Sequence, residues 1–156
     1  MNPLATGPTL ARRRLLQGTA ALALAQALPS VAASELPDIP LLAALLAGRT
    51  PRWERVRLEL PALADNGQAV PLKLAMPGPF APGPTVQAIH LFSEKNPVPD
   101  MAVFEFPVPV EKVEIDSRVR LAGSQKVVAV AVMSDGALYA AAAEVVVTLA
   151  ACLDGS

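Results

Sequence analysis

Few side chains in this sequence are equipped for covalent or metal chemistry. There is one cysteine, Cys152, and one histidine, His90. A single histidine excludes a multi-histidine metal site. A Ser-His-Asp triad would have to use His90, which sits in the run Ala88-Ile89-His90-Leu91-Phe92. Strand alternation puts His90 on the face opposite Ile89 and Leu91, so it reads as a structural or interface histidine. Met76, Met101 and Met133, which a metal chaperone would combine with His90, are far apart and read as core. Gly78 and Gly83 alternate with prolines, which lack backbone donors, so no phosphate-cradling loop forms there. The carboxylates are scattered through turns and strands, with no assignable pair for glycoside chemistry. Asp135-Gly136 reads as a hairpin turn, and Trp53 as a packing residue. No catalytic residue, metal site or cofactor is assigned.

Cys152 remains. It follows the apolar run Val145-Val146-Val147-Thr148-Leu149-Ala150-Ala151. One reading is a reactive thiol able to reach beyond its own domain, because a thiolate attacks electrophilic sulfur. The other is an inert small hydrophobe packed beside Leu149 and Leu153. The setting bears on the choice. Arg12-Arg13-Arg14 precede an apolar run of about 14 residues, Leu15 to Leu28, followed by Val31-Ala32-Ala33. That is the form of a signal peptide, with cleavage expected after Ala33, and it falls short of the roughly 20 residues of a membrane-spanning helix. The paired arginines followed by Leu15-Leu16, and the weakly apolar, Ala-rich run, favour a twin-arginine signal over an ordinary secretory one. An exported chain enters a compartment where disulfides form, and a single cysteine there points to an intermolecular bond or a reactive thiol.

The elements that must position Cys152 come from the segment Ser34–Ser156. It holds ten basic residues against 14 acidic ones, a formal charge of −4. Such a balance has no clustered basic footprint for nucleic acid, and no stretch within it is long and apolar enough to span a membrane. Residues 34–50 read as a Pro-rich linker and a short helix, Leu41 to Leu46, closing one end of the domain. Seven strands then follow from period-two alternation and turn signals: Val56–Leu60, Val70–Leu74, Val86–Ser93, Ala102–Phe106, Val113–Leu121, Lys126–Met133 and Leu138–Leu149. Turns every eight to twelve residues make this an all-β, immunoglobulin-like antiparallel sandwich over residues 51–149, without the immunoglobulin disulfide. Residues 150–156 form a C-terminal arm carrying Cys152.

Several motifs carry a resemblance. Gln87 to Ala102, with the turn Glu94-Lys95-Asn96-Pro97 at its centre, is similar to the central motif of the SoxY family, the sulfur-carrying subunits of the bacterial thiosulfate-oxidising system. Asp65-Asn66-Gly67-Gln68-Ala69-Val70-Pro71 resembles that family's first turn. Ser117 to Gln125 resembles its strand and turn after the central motif, and Ala129 to Gly136 its late hairpin. The resemblance spans roughly Arg55 to Cys152. It implies an immunoglobulin-like fold, a periplasmic location, and a heterodimer with a SoxZ-like subunit exported on the same twin-arginine signal. It also implies that Cys152 is the covalent attachment point for sulfur, as a thiosulfonate or persulfide. The implied partners are a c-type cytochrome that loads the carrier, and a thiol-sulfate hydrolase and a sulfur dehydrogenase that process the cargo. The carrier performs no turnover itself. The family's arm reads Gly-Gly-Cys-Gly-Gly, whereas Cys152 lies between Ala151 and Leu153, which marks a divergent branch with a stiffer arm. An immunoglobulin-like binding or assembly module without carrier activity is the alternative.

Overall fold

The computed structural model describes residues 36–80 and 82–150. Its eight strands are β1 (Arg57–Glu59), β2 (Leu63–Ala64), β3 (Val70–Met76), β4 (Val86–Ser93), β5 (Asp100–Glu105), β6 (Val113–Val119), β7 (Gln125–Met133) and β8 (Leu138–Val147). They form a three-stranded sheet in the order β1-β3-β6 and a five-stranded sheet in the order β2-β8-β7-β4-β5. All pairings are antiparallel except β2 with β8. The all-β sandwich expected from alternation is present, and β2 is the strand that alternation did not reveal.

Side-chain period explains the layers. In β3, Val70, Leu72, Leu74 and Met76 are buried while Pro71 and Lys73 face out. They meet Ile89, Leu91, Val127, Ala129, Ala131 and Tyr139 of the larger sheet across one core. Each aliphatic side chain fully buried there contributes roughly 1.5–3 kcal/mol. In β7 nearly every residue from Val127 to Met133 is buried, so that strand is covered on both faces.

The second cover is the helix α1, Pro40–Leu46. Pro40 suits the first helical position, where its missing N–H costs nothing. Seven residues are too few to hold a helix alone. Ile39, Leu42 and Leu46 pack on Phe92, Val128, Val130, Leu138 and Ala140, and this second core stabilises it. The helix therefore lies on the outer face of the larger sheet rather than closing an end of the domain. Its C-terminus turns through Ala47 in the left-handed region, at φ 48°. Arg49 completes the cap: its guanidinium donates to the carbonyls of Leu45 (3.1 Å), Leu46 (3.1 Å) and Gly136 (2.8 Å). One side chain thus satisfies two orphan helix carbonyls and ties them to the β7–β8 hairpin. That hairpin turns at Gly136, φ 83°, with Ala137 N–H donating to the Asp135 carboxylate.

Candidate functional site

The site is the end of β8, where the chain leaves the sandwich toward residue 152. Cys152 itself lies outside the described residues, as does the expected signal peptide, and the described segment that leads toward it is the root of the expected arm.

Three segments grip that root. The Val146 N–H donates to the Ala62 carbonyl at 2.9 Å, and the Thr148 N–H to the Ala64 carbonyl at 3.0 Å. These are the ladder bonds of the parallel β2 pairing, with Leu63 opposite Val146 and Ala64 opposite Val147. The Thr148 hydroxyl donates to the Asp65 carbonyl at 2.6 Å, and the Gly67 N–H donates to the Leu149 carbonyl at 2.7 Å. Gly67 in turn accepts from the Leu121 N–H at 2.8 Å, which couples the same turn to the end of β6. From the other side, the Val147 N–H donates to the Ser124 hydroxyl at 2.9 Å. Backbone bonds continue in this way to Leu149, three residues before Cys152.

Ser124 is itself held by a polar node. Gln125 is 5% exposed and opens β7, which is apolar from Val127 on. Its amide oxygen accepts from the Lys95 N–H at 2.8 Å. Its amide nitrogen donates to Asn96 Oδ1 at 2.9 Å and to the Gly123 carbonyl at 3.2 Å. Asn96 adds a donation to the Arg120 carbonyl at 2.8 Å, and accepts from the Ala122 N–H at 2.9 Å. Glu94 exchanges bonds with Lys126: its N–H donates to the Lys126 carbonyl, and its carboxylate accepts from the Lys126 N–H. The Glu94-Lys95-Asn96-Pro97 turn and the Gly123-Ser124-Gln125 turn are thus stitched together. The motif residues carry a structural task, which is to fix the loop whose serine holds β8.

These positioning residues, Asn96, Ser124, Gln125 and Thr148, were not singled out by the search for chemistry. A signal existed for Gln125, an uncharged polar side chain near the head of a run of buried aliphatics. The others act through backbone contacts that no periodicity reports.

The remaining candidates fall where the sequence put them. His90 is half-buried on the outer face, its ring stacked on Phe92 at 6.1 Å between centroids, while Ile89 and Leu91 are fully buried on the other face. Met76 and Met133 are core, and Met101 packs against it. Trp53 packs on the second cluster. Among the described residues no group of three or more His, Cys, Asp or Glu side chains could hold a metal ion. A groove of about 830 Å³ lies at the far end of β3, lined by Met76, Phe80, Thr85 and Val113, and so opens away from the root of the arm. Among the described residues no helix is long and apolar enough to cross a membrane.

Comparison with known proteins identifies the surroundings of this site. A family model described as sulfur oxidation protein SoxY matches residues 42–152. No curated protein sequence matches the chain. Among solved structures, the chain is similar to the sulfur carrier protein SoxY from Chlorobium limicola f thiosulfatophilum, with 31% identity and a TM-score of 0.57, covering 70% of this chain and 96% of that one. A more distant likeness is to a superoxide reductase (neelaredoxin) from Ignicoccus hospitalis, at 17% identity and a TM-score of 0.47, over 60% of this chain and 80% of that one. Another is to superoxide reductase from Nanoarchaeum equitans, at 16% identity and 0.47, over 62% and 100%.

Proposed function

Because this chain belongs to the SoxY family of sulfur oxidation proteins, we propose that it is an exported sulfur carrier that holds its cargo covalently on Cys152. The observation that carries the reading is the braced root of the arm. Backbone bonds to Ala64 and Gly67, and the Ser124 hydroxyl, hold the chain through Leu149, which supports a reading in which a thiol three residues further on is carried from a fixed base. A carrier needs that arrangement, a stable body with a reactive group on a short lead. A module whose cysteine is an inert core residue does not need it.

The chemistry is one of thiol and sulfane sulfur. The Cys152 thiolate forms an S–S bond with the outer sulfur of thiosulfate, and the two electrons released pass to a c-type cytochrome. The product is a cysteine thiosulfonate. Hydrolysis by a thiol-sulfate hydrolase releases sulfate and leaves a persulfide, which a sulfur dehydrogenase oxidises. The carrier supplies the attachment atom and the delivery, and the partners supply the turnover. A SoxZ-like subunit completes the working unit as a heterodimer, in the periplasm, after export by the twin-arginine route.

Mass spectrometry of the protein purified from its native host during growth on thiosulfate tests the reading. The expected result is a set of Cys152 adducts containing one or more added sulfur atoms, removed by a reductant and absent in Cys152→Ala. A uniformly unmodified thiol under those conditions refutes it.

A further inference from the structure

Each sheet of this sandwich ends in two edge strands. β1 has three residues and β2 two. β5 has six, and its pairing with β4 shifts register between Leu91 and Phe92. β6 is different. Its seven residues, Val113 to Val119, pair with β3 in unbroken register from Met76 to Val70, and its other side has no strand partner among the described residues. A long regular edge is a template for a further strand unless something blunts it. Asn96 caps the main chain just past its end, at Arg120 and Ala122; within Val113–Val119 the device is charge, and the charges are arranged to favour one arrangement.

The solvent-facing side chains of β6, with that of Arg120 just after its end, read Glu114, Asp116, Arg118, Arg120, all exposed. The two acids precede the two bases, symmetrically about Ser117. When two antiparallel copies of such a strand pair with Ser117 opposite Ser117, position numbers across the pair sum to a constant. Glu114 then faces Arg120 of the second copy and Asp116 faces Arg118 of the second copy, and the symmetry repeats both contacts. Four opposite-charge pairs form on one face, with no like charges opposed. On the other face Ile115, half-buried, meets Val119, half-buried. Directly opposite side chains in an antiparallel pair lie close enough for both kinds of contact.

The charges within one copy leave room for this. Lys73 and Asp116 are 3.7 Å apart with side chains 70% and 77% exposed, and Lys112 with Glu114 is similarly exposed; pairs of that kind hold weakly. Arg118 and Arg120 have no carboxylate within salt-bridge distance among the described residues.

We propose that β6 is a homophilic docking edge: two copies of this chain pair through β6 about a two-fold axis at Ser117, joining their three-stranded sheets into one of six strands. The interface involves only the smaller sheet. It uses no strand of the five-stranded sheet, so the pairing is compatible with a different subunit bound elsewhere.

Sedimentation of the full chain in a Cys152→Ala background, where no disulfide can link copies, tests this separately from the carrier reading. The expected result is a monomer–dimer equilibrium with a dissociation constant on the order of 10 µM, as for a small, weak interface, weakening as salt is raised. Glu114→Arg with Asp116→Arg makes the stripe entirely basic, and Arg118→Glu with Arg120→Glu makes it entirely acidic. Each double variant alone should dimerise roughly 50-fold more weakly, since every attractive pair becomes repulsive. Mixed one to one, they should restore the wild-type affinity. The swap Asp116→Arg with Arg118→Asp within one chain keeps all four pairs complementary and should dimerise as the wild type does. A wild-type chain that stays monomeric at about 100 µM, ten times the expected constant, overturns the proposal. So do double variants that dimerise alone as well as the wild type, or a mixture that fails to restore pairing.

Discussion

Gln125 is the hub of the node behind the arm, and replacing it separates a positioning role from a filling one. Gln125→Leu keeps most of the volume and removes all three side-chain hydrogen bonds, to the Lys95 N–H, Asn96 Oδ1 and the Gly123 carbonyl. At about 0.5–1.5 kcal/mol for each bond, with two backbone groups losing a partner in a part-buried setting, the loss of stability comes to about 2–4 kcal/mol. For a domain of this size each kcal/mol lowers the melting temperature by about 4 °C, so a fall of about 8–16 °C follows. Thermal unfolding followed by circular dichroism reads this directly. The second readout is local. Gly123 and Ser124 lose their anchor, and Ser124 holds the Val147 N–H. Native-state hydrogen exchange at Val147 should accelerate by more than the global destabilisation accounts for, by about 10-fold, as expected when a local opening becomes easier. A melting temperature within 2–3 °C of wild type (under ~1 kcal/mol), or a Val147 amide that slows and quickens only with global unfolding, refutes the claim that this node positions the arm.

Two further substitutions have defined outcomes, one at the same node and one in a separate loop contact. Ser124→Ala removes the hydroxyl that accepts from Val147, at a cost of about 1 kcal/mol, and exchange at Val147 should rise while the core amides of β7 stay protected. Gly78→Ala should lower stability by more than about 2 kcal/mol, measured by urea unfolding, because a β-carbon there would strike the Glu111 carbonyl oxygen; wild-type stability would mean that the two loops do not meet as described.

Seven of the eight strands were legible, from alternation where one face is buried, from turn signals, and in β7, which is covered on both faces, from an unbroken apolar run. β3 shows the alternation most plainly, with Val70, Leu72 and Leu74 inside and Lys73 outside. β2 was not legible. Two residues have no period, and its pairing depends on β8 returning beside it some eighty positions later. The helix was legible in its apolar stripe, but a stripe states only that a face is buried and does not name the surface that buries it. The layer over Phe92 and Val130 is a tertiary fact. Cys152 was reached by elimination and resemblance, and the described residues stop short of it. The brace at the root of the arm was invisible because it consists almost wholly of main-chain bonds, from Ala64, Gly67 and Leu149, whose side chains give no hint of them. Only Gln125 stood out of pattern.

Under the proposed carrier function, the Gly67–Leu149 bond sets a depth limit for whatever receives the arm. Beyond Leu149 only three residues lead to Cys152, so the backbone extends at most roughly 10 Å past that anchor. Alanine and leucine beside the cysteine cannot lengthen it. An acceptor enzyme with a long, narrow shaft would leave the cargo short of its metal or nucleophile. A shallow basin suits it instead, with a rim that can meet the end of the sandwich where Leu63, Val146 and Leu149 are 58%, 55% and 65% exposed. Under that proposal the length of the lead selects its acceptors by the profile of their entrances, before any side chain is recognised.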